Sequence, residues 1–447
     1  MTDGSDTGSE TNTQRATTET RQATNTGRAT DTERATDTER ATDTEQAARQ
    51  PTTGYEPLAR RLGDEDAVAF VHVGDRTDDD LRYLTRFRGP DRRYAFCYVP
   101  GAGTDSRDGE SHDDRGGRAV LCAPSLYGEQ ARREFPGEVV RTEAVGEPAG
   151  ARAVAVLADA GVESGTLLVP RQVPHDTAVR LETAGFELVS TTVVEEMRRQ
   201  KTRREIERHR AVQRAAAAGM ARAETVLAAA TVADDHLDWE GERLTTDRLR
   251  REVNAVLAAA GVCDAGNSVI GAGSTAADLH YLGDDEIRPD ETVLLDLSPR
   301  GPAGYYADLT RTFVVDSTGG WDRRAYVAVE AAREAALAEL EAGAGVDAGR
   351  VHEEAAAELA AHGFRVDSTE VGFTHSTGHG VGLSLHEAPS LSHGTTLQAG
   401  DVVTVEPGVY DPAEGGVRLE DLIVVRETGY ELLQPYPFGS TPRERSI

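Results

Sequence analysis

Four carboxylates stand where strands would bury them. Asp296 lies in TVLLDLS, Asp308 in YYADLTRTFVV, Glu406 in VVTVEPG and Glu420 in GVRLEDLIVV, each flanked by β-branched residues or leucine. Taking a lone carboxylate out of water costs several kcal/mol unless a cation or a metal ion compensates it. Any one of these acids could be paired with an arginine or sit at a strand end. Four together, with too few cations among them to pair each one, point instead to a shared oxygen-rich site.

The segment HSTGHGVGLSLHEAP, residues 375 to 389, adds three imidazoles: His375, His379 and His386. Its spacings would suit a helix face, but glycines at 378, 380 and 382 oppose one, since each costs about 1 kcal/mol relative to alanine inside a helix. An extended or looping segment that presents imidazoles is expected. The ordinary reading of such a loop is a solvated turn; beside the acids it becomes a candidate ligand source. Oxygen ligands with one imidazole suit two hard or borderline divalent ions bridged by carboxylates, not a tetrahedral structural zinc.

Charge narrows the function classes. The 447 residues carry a formal net charge of -29, spread along the whole chain, and Lys201 is the sole lysine. A dense carboxylate surface of this kind is expected of a protein adapted to high salt, where it maintains solubility. It would repel nucleic acid and anionic membranes, so neither is expected as a partner. Cys97, Cys122 and Cys263 are odd in number and far apart, which gives no disulfide framework or CxxC metal site and fits a reducing cytoplasm. No apolar run reaches the ~18 residues of a membrane span, and no basic start precedes an apolar stretch.

The organisation is tripartite. Residues 1–52 hold almost nothing apolar beyond alanine, and RATDTE recurs from Arg28, Arg34 and Arg40, so a disordered low-complexity tail is expected there. Residues 53–195 read as an α/β domain, with strands in AVAFVHV, YAFCYVP, RAVLCAP, TLLVPRQ and FELVSTT and a solvated hairpin insertion after the second. Residues 196–447 read as an α+β domain: an alanine-rich helical stretch to about 230, a helix ended by Gly261, strand-like NSVIG, TVLLDLS and RTFVVD, two further helices, and the strands carrying Glu406 and Glu420.

The motifs DLSPRGPAGYYADLTRTF, HSTGHGVGLSLHEAP, VVTVEPGVY and GVRLEDLIVV resemble, in order, those of the creatinase, prolidase and methionine aminopeptidase family over roughly residues 196 to 435. VGDRTDDDLRYLTRF, residues 73 to 87, is similar to the N-terminal domain of the prolidase and aminopeptidase P branch; such an extra domain disfavours a methionine aminopeptidase. The resemblance implies a pita-bread catalytic domain behind a smaller creatinase/prolidase-type domain, and likewise a homodimer. It implies Asp296 as ligand of one metal, Asp308 and Glu420 as bridging ligands, and His379 and Glu406 as ligands of the other. It also implies substrate-side roles for His375, His386, His280 in ADLHYLG and Arg418. In one respect the chain departs from the pattern: Asp296 and Asp308 are twelve residues apart, where the family usually has eleven. Pro302 and Gly304 favour a turn that takes up the extra residue; within a strand it would flip one ligand to the other face.

The implied chemistry is hydrolysis of an N-terminal Xaa-Pro bond by a hydroxide held between two divalent ions, manganese first and cobalt or zinc as alternatives. Glu406 would move the proton, His386 would meet the oxyanion and Arg418 an anionic group of the peptide substrate. A creatinase-like or lyase-like enzyme on a non-peptide substrate and a catalytically silent binding module are the rival readings. The complete ligand set counts against the silent module.

Overall fold

The computed structural model describes residues 54–101, 117–143, 146–391 and 394–445. The expected tail over residues 1–52 and nearly all of the expected hairpin insertion lie outside the described residues.

The apolar runs of the N-terminal part form one six-stranded sheet. From edge to edge it contains Val139–Glu143, Arg118–Pro124, Tyr94–Val99, Ala69–Gly74, Gly165–Pro170 and Phe186–Thr191. Tyr94–Val99 runs antiparallel to both neighbours, and the other pairings are parallel, so five strands end at the same edge. Helices cover both faces, which is why Ala69–Gly74 is buried at every position. Alternation divides the side chains: Phe70, Phe96 and Leu121 enter one core cluster and Val71, Cys97 and Val120 the other.

The expected boundary at residue 195 falls inside the helix Val193–Arg199. The next helix, Arg203–Ala229, starts with a capping box in which Thr202 and Glu205 satisfy each other's backbone. Thr246–Ala259 packs beside it, and Gly261 follows at φ +78° as the residue that ends the turn. The helices Trp321–Glu339 and Ala348–Ala361 form a second pair. Between the pairs lie a three-stranded sheet of Ser268–Ala272, Thr292–Leu297 and Thr310–Val314, a five-stranded sheet with Val402–Val405 at its centre, and the hairpin Gly408–Asp411/Gly415–Arg418. The two sheets and the hairpin carry all four acids at or beside strand ends, Asp308 and Glu420 buried and Asp296 and Glu406 half-buried.

Residues 52–447 form one compact unit. Tyr305 and Leu383 belong to the same apolar cluster as Phe70 and Phe87, and a charge network crosses the same contact. Arg198 donates to Asp80 at 2.7 Å and to Glu387 at 2.6 Å. Lys201 Nζ reaches Glu387 at 2.6 Å, and Arg300 reaches Asp79 at 2.8 Å.

Candidate metal centre

Strand register brings the first two acids together. Asp296 is paired with Thr310 across the hairpin, and Asp308, two residues before Thr310, faces the same way. The connection closes on itself beyond the ligands: Ala307 N–H donates to Pro299 O at 3.0 Å, Gly301 N–H to Tyr305 O at 2.9 Å, and Gly304 N–H to Gly301 O at 2.9 Å. Gly304 has φ +96°, a conformation that suits glycine. The twelve-residue spacing is therefore taken up in the turn. Glu420 N–H donates to Thr310 O at 3.1 Å, which brings the third acid alongside, so that carboxylate oxygens of Asp296, Asp308 and Glu420 all lie within 4.8 Å of one another.

The histidine loop supplies the other side. It is extended, as its glycines require: a Cβ at Gly378 would sit 2.1 Å from Thr404 O, and one at Gly380 would sit 2.3 Å from Ala388 O. His379–Gly380 pairs with Val402–Val405 through Gly380 and Val403, and Glu406 follows immediately, its N–H donating to Thr377 O at 2.8 Å. His379 Nδ1 donates to Gly380 O at 3.1 Å, which leaves Nε2 free to act as a ligand atom. That nitrogen is 3.3 Å from Glu406 Oε1 and 3.6 Å from Asp308 Oδ2.

Each acid has a supporting group two residues from an acid in sequence, on the same strand face. Ser298 donates to Asp308 at 2.9 Å, Thr310 to Glu420 at 2.7 Å, Thr404 to Glu406 at 3.1 Å and Arg418 to Asp296 at 2.6 Å. Ser298, Thr310 and Thr404 escaped the sequence reading, although the signal was present: a hydroxyl at i±2 from a strand acid shares its face. Burial, and after it the neighbouring carboxylates, hold Asp308 and Glu420 well above the usual range. Burial likewise raises Glu406. Four acids gather around one guanidinium, that of Arg418, and a carboxylate-rich, imidazole-containing pocket with this imbalance fits divalent cations held by Asp296, Asp308, His379, Glu406 and Glu420.

The substrate-side residues are more varied. Arg418, expected on the substrate side, has a side chain 3% exposed and is engaged by Asp296, by Tyr410 Oη at 2.8 Å and by Thr310 Oγ1 at 3.2 Å. His375 is likewise occupied at both ring nitrogens, by Ser376 O at 2.7 Å and Tyr410 Oη at 2.8 Å. Burial and then Arg418 push its pKa down to about 3, so it stands neutral. Arg418, Tyr410 and His375 thus form a chain that braces Asp296, and Tyr410 is a member the sequence did not announce. His386 sits exposed at the rim with its ring centroid 4.2 Å from that of His379. His280 lies exposed in the turn after Gly273–Ala277.

Residues 207–427 match the family model described as metallopeptidase family M24. This segment belongs to family M24. Among curated relatives, the "Probable dipeptidase PepE" of Mycobacterium tuberculosis is 32% identical over 195 residues, which are 42% of this chain and 50% of the relative. The "Xaa-Pro dipeptidase" of Pyrococcus furiosus is 35% identical over 171 residues, 37% of this chain and 47% of the relative. The chain thus spans about half the length of these curated relatives. A shorter match, 41% identical over 114 residues covering 25% of this chain and 28% of the relative, is to the "Agropine synthesis cyclase" of Rhizobium rhizogenes. Among solved structures, the prolidase from Pyrococcus furiosus superposes with a TM-score of 0.69 at 23% identity, covering 85% of this chain and all of that one. The X-Pro aminopeptidase from Thermotoga maritima gives 0.68 at 21% identity, covering 85% and 98%. The M24 segment has the pita-bread fold of these neighbours, with the α/β domain before it.

Proposed function

We propose that this chain is a metal-dependent peptidase that cleaves the Xaa-Pro bond at a peptide N-terminus, as a dipeptidase or an aminopeptidase. The observation that carries this reading is the convergence of Asp296, Asp308 and Glu420 within 4.8 Å, with His379 and Glu406 closing the same pocket. Two divalent ions, manganese before cobalt or zinc, would supply Lewis-acid activation of water and of the scissile carbonyl. Glu406, held above the usual carboxylate range by burial, is suited to take a proton at a carboxylate oxygen and return it to the leaving nitrogen. His386 at the rim is placed to donate a hydrogen bond to the developing oxyanion. Arg418 and Tyr410 keep Asp296 oriented. The names of the relatives from Pyrococcus furiosus and Mycobacterium tuberculosis support a peptide substrate. The reading also takes the protein as a cytoplasmic homodimer adapted to high salt.

The similarity to a protein named as a cyclase favours one alternative, the same fold acting on a non-peptide substrate. A panel of Xaa-Pro, Xaa-Pro-peptide and Met-peptide substrates, assayed with manganese in high-salt buffer, separates the two. Cleavage confined to the Xaa-Pro members supports the proposal. Metal-loaded protein that cleaves no peptide would overturn it in favour of the alternative.

A further inference from the structure

A cavity of about 470 Å³ opens at the carboxyl edge of the six-stranded sheet, and none of its lining residues belongs to the metal centre. Val73 and Pro124 reach it from strand ends, and the first turns of the helices Ala149–Asp159 and His175–Thr183 form its floor. Open α/β sheets present such a crevice beyond the carboxyl ends of their strands.

Two buried side chains in its wall carry polar atoms without a hydrogen-bond partner. Arg152 is 5% exposed. Its Nη2 donates to Glu147 O at 2.8 Å, while Nε and Nη1 have no hydrogen-bond partner. Thr177 is 0% exposed, and its Oγ1 is unpartnered too. A buried guanidinium with unsatisfied donors is costly, and a ligand that accepts from it removes that cost. The helix starts add to the same demand. Neither has a side-chain cap, so no side chain caps the positive dipole end that each presents to the floor. Gly150 permits their approach, since a Cβ there would lie 3.0 Å from Thr177 Cα.

Arg92 and Arg93 line the cavity as well, against the acids Glu147 and Asp176. Arg93 occupies Asp176 at 2.7 Å, which leaves the Arg152 end cationic in a chain whose net charge is -29. Leu126, 80% exposed, adds an apolar group to the lining.

We propose that this cavity binds a compact oxyanion, a phosphate group either free or carried on a small organic body, with Arg152, Thr177 and the two helix starts as its donors. The test is thermal unfolding of the full chain at constant high ionic strength in potassium chloride, titrated with inorganic phosphate or with phenyl phosphate. Phosphate should raise the Tm with the logarithm of its concentration once that exceeds Kd, by roughly 3 °C at high occupancy. The rise should vanish in Arg152→Met and shrink in Thr177→Val. A larger rise with phenyl phosphate at equal concentration assigns a monoester that uses Leu126; equal rises assign free phosphate. Because the ligand-free guanidinium is uncompensated, Arg152→Met should be no less stable than the parent in chloride alone. No rise with either probe at matched ionic strength would overturn the proposal. So would an undiminished rise in Arg152→Met, which would place binding outside this cavity. Should Arg152→Met fail to fold, an undiminished rise in Thr177→Val overturns it equally.

Discussion

At the scale of single residues, three histidines in one loop have three different surroundings, and each surrounding predicts a different outcome. His379 has its Nδ1 occupied by Gly380 O and its Nε2 among acids, so His379→Ala should lose metal and activity together, measured by metal analysis after desalting. His386 is beside the acids but exposed; His386→Ala should keep its metal while kcat for Xaa-Pro hydrolysis falls roughly 100-fold, the scale for removing one oxyanion donor. Metal loss in His386→Ala with metal retained in His379→Ala would reverse these roles. A fourth histidine lies outside any motif. His209 is 0% exposed, and burial, then Lys201, push its pKa down to about 4. The unfolded chain binds this proton near the ordinary value, the folded chain only near 4, so the neutral ring's contribution is complete above the unfolded pKa and is lost as pH falls between the two. The loss between about pH 7.5 and about pH 5 should be about 2 kcal/mol. Urea unfolding at both pH values should show the parent losing about 2 kcal/mol more than His209→Gln over this range; an equal loss in the two would refute the assignment. His209 was illegible in the sequence because burial comes from packing between elements, with Tyr306 O at 2.8 Å on a distant segment. The ligand acids were legible because they violate the composition of the strands that hold them.

At the scale of elements, periodicity carried most of what could be read. Strands such as Arg118–Pro124 and helices such as Trp321–Glu339 and Ala348–Ala361 lie where apolar runs and helical spacing put them. The helices Ala149–Asp159 and His175–Thr183 begin after prolines without a capping side chain, so the usual start signal was missing, and the cavity between them was missed with it. The salt-bridge network around Glu387 was equally invisible, since Asp80, Arg198 and Lys201 each look like surface charges in one dimension. The hairpin between Asp296 and Asp308 makes the sharpest element-level prediction. Its turn lies beyond the Ala307 to Pro299 bond, so deleting Ala303 should leave two-metal retention near that of the parent. Inserting one alanine between Leu309 and Thr310 moves Asp308 to the opposite face of the ladder, and metal retention should collapse. Metal analysis on the two variants decides; equal losses would mean that the turn, not the strand, sets the ligand geometry.

At the scale of the whole molecule, the excess of acids sets how stability responds to salt. Interior ion pairs such as Arg198 with Asp80, 8% and 3% exposed, are shielded from salt and should hold at any ionic strength. Exposed pairs such as Arg132 with Glu129, 51% and 83% exposed, are worth about 0–1 kcal/mol each and weaken as salt rises. Against them stands the repulsion of 77 acidic residues outnumbering 48 basic ones, which acts over longer distances and is felt by every part of the surface. Raising ionic strength shortens the screening length from about 10 Å at 0.1 M to about 3 Å at 1 M. That range cuts the long-distance repulsion between like charges more than the contact attraction of pairs already closer than 4 Å. The Tm should therefore climb as potassium chloride goes from about 0.1 M to about 1 M, and flatten beyond it once screening is nearly complete. Differential scanning calorimetry across that series tests the balance, with Arg198→Met as a companion whose deficit should be the same at every salt concentration. A Tm that falls steadily with salt would show that exposed ion pairs, not the excess of acids, govern the stability of this surface.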